Sequence, residues 1–204
     1  MAVLTEQERR LISLFAAAVG GDWDRLRRLR ADAGPNEPDR AWRETMLMVH
    51  LFAGFPRQVE AYGVLAAAGG LGVPDPSEVE NVGDLPERGQ PLFDTIYGQQ
   101  SQRVQDILQK GHPNALQWIV GHAYGRVLTR PGLTSRQREL LAVTALAVLG
   151  QERQLASHVR GAVRCGATRD DVLEVIEQVA PAFDEEKKKD FHAIIDKFAS
   201  PGGD

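Results

Sequence analysis

"LTSRQRELLAVTALAVLGQERQLASHVRGAVRCG", residues 133–166, reads as two helices and the turn between them. Thr134 followed three residues later by Gln137 has the form of a capping box, a helix-start signal. The run Leu140–Leu149 is apolar, and Gly150 ends it where a left-handed residue is needed. In the second half, Leu155, Val159, Ala162 and Val163 recur at helical spacing and share one face. Arg153, Arg160 and Arg164 mostly point elsewhere. His158 lies beside the apolar stripe. Antiparallel packing about Gly150 would bring the start of the first helix near the middle of the second, and so Glu139 near His158.

The same reading extends along the chain. Alternating strand patterns are nearly absent, and helical spacing predicts helices over 5–19, 22–33, 38–53, 56–69, 90–110, 112–127, 134–149, 151–165, 169–182 and 184–198. Thr5 with Glu8 has the form of a second capping box. Thr168 ahead of Asp170 and Asp171 suits another helix N-terminus, and Pro113 suits a first helical turn. The stretch 69–91, "GGLGVPDPSEVENVGDLPERGQP", is rich in Gly and Pro and carries almost no period. The expected organisation is therefore all-α: a helical unit over 1–70, a connection over 71–89 and a second helical domain over 90–204.

The two units share an order of features. "LTEQERRLISLFAAAVGG" from Leu4 and "LTSRQRELLAVTALAVLG" from Leu133 both open on Leu-Thr and carry an Arg four residues after the Thr. Each runs through an Ala-rich helix to a glycine, at Gly21 and Gly150. This predicts an internal duplication. Counted from the shared Leu-Thr, the first unit has Leu29 in place of His158 and Arg10 in place of Glu139. Asp22 and Arg25 stand in place of Gln151 and Gln154. The first unit therefore cannot run the same chemistry, and is expected to complete a core, an interface or a pocket wall.

Composition excludes several classes. A net charge of −4 gives no support for nucleic-acid binding, which favours a basic face. Cys165 is the single cysteine, so neither an internal disulfide nor a CxxC pair exists. Together with a charged N-terminal stretch, it points to the cytoplasm. The longest apolar run, "LLAVTALAVLG", is too short to span a bilayer. No set of His, Asp and Glu has metal-ligand spacing, and no Gly-rich loop follows a strand. Trp42 and Trp118 are expected in cores.

"YGRVLTRPGLTSRQRELLAVTALAVLGQERQLASHVRGAVRCGATRDDVLEVIEQ" resembles the carboxymuconolactone decarboxylase family, within the wider alkylhydroperoxidase D-like fold. The resemblance rests on "RPGL" before a helix, "REL" opening it, "LG" closing it, and "HVRGA" followed by "GAT" and an acidic helix. It covers roughly residues 88–182. It implies an all-helical bundle in which the family histidine falls on His158 and the family glutamate on Glu139. The two cysteines of the hydroperoxidase branch fall on Gln151 and Gln154. Glutamine supplies no thiolate, so a CxxC peroxidase mechanism is excluded for this chain. The decarboxylase branch uses no metal or organic cofactor. Histidine suits proton exchange near neutral pH, and a neighbouring carboxylate fixes its orientation.

Two readings of His158 stand side by side: a helix histidine satisfied by a neighbour, or a proton carrier. Glu139 is likewise either a first-turn acid favoured by the helix dipole or the partner of that proton carrier. Arg138 and Arg130 are candidates to clamp a substrate carboxylate, Tyr124 to supply a hydroxyl, and Gln151 and Gln154 to line a polar pocket. His50, His112 and His192 carry no motif, and His122 reads as structural. The leading expectation is a cofactor-independent lyase for a small anionic acid or lactone. It would associate with copies of itself, as a trimer before a dimer. A non-enzymatic helical scaffold or binding protein is the alternative, and a thiol peroxidase through Cys165 is the third.

Overall fold

The computed structural model describes residues 4–34, 37–79 and 85–199, and every regular element within them is helical. The helices are α1 (Glu6–Gly20), α2 (Trp23–Ala31), α3 (Arg40–Leu47), α4 (Val49–Ala67, broken at Gly54) and α5 (Leu85–Tyr97). They continue with α6 (Ser101–Gly111), α7 (Ala115–Trp118), α8 (Ser135–Val148), α9 (Glu152–Arg164), α10 (Arg169–Val179) and α11 (Glu185–Phe198). Between α7 and α8 lies a π-helical segment, Ile119–Leu128, whose wider winding shows in the bond from Thr129 N–H to the Tyr124 carbonyl. Among the described residues, no helix is long and apolar enough to cross a membrane.

Local chemistry sets many of these boundaries. Thr5 with Glu8, Thr134 with Gln137, and Thr168 with Asp171 all form reciprocal caps at helix starts. Gly21 and Gly150 close α1 and α8 with φ of 76° and 66°, a region that other residues enter only under strain. The first unit thus runs α1, Gly21, α2 where the second runs α8, Gly150, α9.

Several expected boundaries differ. The helix expected over 38–53 is divided at Met48 between α3 and α4, and the one expected over 169–182 ends at Val179 and passes into a 3₁₀ turn. The helix expected over 90–110 is divided by a 3₁₀ turn at Gly98–Gln100, where Gly98 has φ of 51°. Leu85–Gly89, expected within the connection, form the start of α5; residues 80–84 lie outside the described residues. The helix expected over 112–127 is instead α7 followed by the π-helical segment. Trp118, expected in a core, is 65% exposed and stacks on the His112 ring, whereas Trp42 is buried.

α8 is the centre of the fold. It packs against α1, α9 and α10, and Arg138 through Ala147 are all buried. A helix covered on all sides must be apolar on all sides, which explains why "LLAVTALAVL" shows no polar stripe. α9 has one core face, on which Leu155, Val159 and Ala162 are fully buried; a buried Leu or Val contributes about 1.5–3 kcal/mol. α5 lies against the π-helical segment, backbone to backbone. A Cβ at Gly125 would sit 1.8 Å from the Leu85 carbonyl oxygen, and one at Gly89 would sit 2.2 Å from that of Val120. Glycine at both positions allows this approach, which brings Tyr97 and Tyr124 together.

One buried ionic network joins the N-terminal helices to α8. Glu44 of α3 is 2% exposed and accepts from Arg130 Nε at 3.0 Å, Arg130 Nη2 at 2.9 Å and Arg138 Nη2 at 3.0 Å. Arg138 Nη2 also donates to the Arg130 carbonyl. A carboxylate holding a buried guanidinium cannot be removed without leaving that cation uncompensated. Glu44→Gln is therefore expected to lower the urea unfolding free energy by about 3–5 kcal/mol. Neutralising the exposed Asp24, which pairs with Arg27, is expected to cost about 1 kcal/mol or less. Equal effects from the two variants would contradict this assignment.

Candidate functional site

Glu139 lies in the second turn of α8 and His158 in the middle of α9. The turn at Gly150 folds the two helices against each other, as the 133–166 pattern predicts. His158 Nδ1 and Glu139 Oε2 are 2.9 Å apart, with the residues 7% and 1% exposed respectively. A carboxylate oxygen accepts, so Nδ1–H donates and Nε2 is the ring's other nitrogen. Among the described residues, Nε2 has no hydrogen-bond partner. Gly161 makes room for this contact, because a Cβ there would lie 2.5 Å from Glu139 Oε2 and 2.8 Å from Ile96 Cγ2. The glycine in "HVRGA" is thus explained by where the carboxylate must sit.

Glu139 Oε1 is buried and carries no hydrogen bond. An unmatched buried acceptor costs about 1–3 kcal/mol, so Glu139 is poorly suited to stability alone. The surroundings are aromatic: the rings of Phe52 and Tyr97 each lie 6.4 Å from the His158 ring, edge-on. The rings of Tyr97 and Tyr124 lie 6.4 Å apart, centroid to centroid. Burial pushes both phenols above their usual range, with the charge of Glu139 adding to the shift. Tyr124, a candidate from the sequence, is thus linked to the Glu139–His158 pair through Tyr97. Sequence reading missed Tyr97, which lies on another helix with no motif around it.

A cleft of about 550 Å³ opens beside the pair. Tyr97, Arg103, Ile107, Arg153, Gln154, Ser157 and Phe198 are among the residues that line it. His158 is not on the cleft wall, but its ring lies 6.4 Å from that of Tyr97, which is. Arg103 and Arg153 are exposed, and neither has a recorded ion pair among the described residues. Gln154 is at the cleft; Gln151, the residue before α9, is exposed and away from it. Arg130 and Arg138, expected to clamp a substrate, are instead held by Glu44. Among the described residues, no group of three or more His, Cys, Asp and Glu gathers as a metal site.

Residues 113–196 match the carboxymuconolactone decarboxylase family, a span that includes Tyr124, Glu139, Gly161 and His158. The chain is similar to "Peroxisomal protein 2" of Schizosaccharomyces pombe, with 27% identity over 136 residues, 64% of this chain and 63% of the relative. It is also similar to the "4-carboxymuconolactone decarboxylase" of Acinetobacter baylyi, with 39% identity over 59 residues, 29% of this chain and 44% of the relative. The chain thus spans less than two thirds of the length of either relative.

Cys165 follows α9 close enough to Glu139 to feel its charge. Burial, with that charge adding to it, pushes the thiol up to about 12. At pH 8 the thiolate fraction is then smaller than that of an ordinary cysteine by a factor of roughly a thousand. Iodoacetamide is expected to alkylate the folded chain at least about a hundredfold more slowly than the urea-unfolded chain. Similar rates in the two states would contradict the half-buried, thiol-form assignment.

Proposed function

Taking residues 113–196 as a carboxymuconolactone decarboxylase family segment, we propose that this chain is a lyase of the decarboxylase type. Its substrate would be a small anionic organic acid or lactone, and its chemistry a proton transfer through His158. The observation that carries the reading is the buried 2.9 Å contact between His158 Nδ1 and Glu139 Oε2, with Nε2 left unpartnered. Such a contact fixes the ring and its tautomer, and it stabilises the imidazolium when Nε2 gains a proton.

The reaction balances with these groups. The substrate's carboxylate leaves as CO2, and the bonding electron pair moves into a conjugated carbonyl to give an enolate. Protonated His158 delivers its Nε2 proton to the enolate carbon, and water restores that proton. The carbonyl acts as electron sink, as the family resemblance implies for a reaction without metal or organic cofactor. Arg103 and Arg153 at the cleft supply positive charge for the substrate's anionic groups. Gln154 and the Tyr97–Tyr124 hydroxyls supply neutral polar contacts. We assign Arg130 and Arg138 to holding Glu44, and Gln151 to the solvated start of α9. A homo-oligomer, trimer first, remains part of this reading; the exposed Phe55, Val59, Ile107 and Trp118 offer apolar faces for it.

One observation favours a non-catalytic binding or scaffold protein: His158 is 7% exposed and does not line the cleft. A peroxidase reading gains nothing from Cys165, since a thiol held near 12 is a poor nucleophile. CO2 release from a panel of lactone and β,γ-unsaturated carboxylic acids decides between enzyme and scaffold. The lyase reading expects turnover of at least one acid, lowered about 10²–10⁴-fold in His158→Gln and Glu139→Gln. Unfolding midpoints of the variants show whether the fold survives. Turnover unchanged in a folded His158→Gln chain would overturn the mechanism, and no turnover of any acid would favour the scaffold.

A further inference from the structure

A second polar site lies on another face of the π-helical segment, outside the Glu139–His158 machinery. His50 of α4 and His122 of the π-helical segment meet Nε2 to Nε2 at 2.8 Å. His50 Nδ1 is 2.6 Å from the Leu47 carbonyl, which only accepts, so Nδ1 carries the proton. In the neutral pair, His50 Nε2 is then the acceptor and His122 Nε2–H the donor. That leaves His122 Nδ1 bare, with no recorded partner among the described residues. Burial and Arg126 hold His122 below the usual histidine range, and burial with His122 beside it does the same to His50. Around pH 7 the pair is neutral, with one acceptor nitrogen ready to take a proton when a negative charge arrives.

The pair lines a cavity of about 340 Å³ with Phe55, Gln58, Arg126 and Arg130. That volume falls within the small-molecule range of roughly 300–1,000 Å³. One wall is flat: the Phe55 ring stacks on His50 with centroids 4.7 Å apart and planes 4° from parallel, although Phe55 is 61% exposed. Arg130, at the cavity wall, is held by Glu44. Arg126, four residues after His122, is exposed and forms no ion pair among the described residues. Its guanidinium, close enough to act on His122, disfavours a metal cation on the histidine pair and favours an anion.

We propose that this cavity binds a small planar monocarboxylate. The ligand's flat face would lie along the Phe55–His50 wall, and its carboxylate would accept from Arg126 and from His122 protonated at Nδ1. Neither residue contributes to the Glu139–His158 chemistry, so the site stands or falls independently of the proposed lyase.

The test uses the full chain at pH 7 and follows the imidazole carbon-bound proton signals of His50, His122 and His158 by NMR during titration with sodium benzoate. Benzamide presents the same plane without the charge, and inorganic phosphate the charge without the plane. Benzoate is expected to shift the His50 and His122 signals saturably, whereas benzamide and phosphate do not. Arg126→Gln, an exposed change, is expected to weaken benzoate binding about tenfold or more, and Phe55→Ala to weaken it as well. The proposal is overturned by no benzoate shift at the pair, by a shift confined to His158, by equal response to benzamide or phosphate, or by undiminished binding to Arg126→Gln.

Discussion

The hydrogen bond between Glu139 and His158 depends on a packing constraint: α8 and α9 must run antiparallel about Gly150 and lie close enough for a carboxylate to fit against Gly161. Everything near the site follows from that pairing. α8 is buried on all sides because α9, α1 and α10 surround it. Glu139 is therefore held in apolar surroundings, where an ionic or hydrogen-bonded partner is worth most and an unmatched oxygen costs most. His158 is the partner, and the unmatched Oε1 is the residual cost. The N-terminal helices act from further away. Through Glu44 they hold Arg130 and Arg138, which flank the start of α8 and so keep the glutamate's helix in register with α9.

Much of this was legible in the sequence because it is local. Helix starts are written as Thr-x-x-Glu, Thr-x-x-Gln and Thr-x-x-Asp, and helix ends as Gly21 and Gly150; both signals act within a few residues of the boundary they set. The Glu139–His158 juxtaposition was also readable, since one turn and two regular helices separate the two residues. Family resemblance singled out those two among several acids and histidines, and the period of the pattern alone left a structural role for His158 open.

What the sequence hid depends on contacts distant along the chain. Arg130 and Arg138 looked available for a substrate because their true partner, Glu44, lies more than eighty residues earlier. Tyr97 reaches His158 only because α5 runs against the π-helical segment, an approach set by Gly89 and Gly125. The single helix expected over 90–110 failed at Gly98, where positive φ outweighed a continuous apolar period. Trp118 ended on the surface beside His112 because the short α7 turns it outward, an outcome its hydrophobicity alone opposes.

The account rests on the direction of one proton: His158 Nδ1–H donates to Glu139, which leaves Nε2 as the nitrogen the proposed proton transfer would use. Nitrogen-15 NMR of the imidazole ring reads that direction. In the folded, ligand-free chain with the ring neutral, the account predicts a protonated-type shift at Nδ1 and an unprotonated-type shift at Nε2. Glu139→Gln should alter that balance. A ring carrying its proton on Nε2, or one indifferent to the loss of the Glu139 carboxylate, would contradict the account.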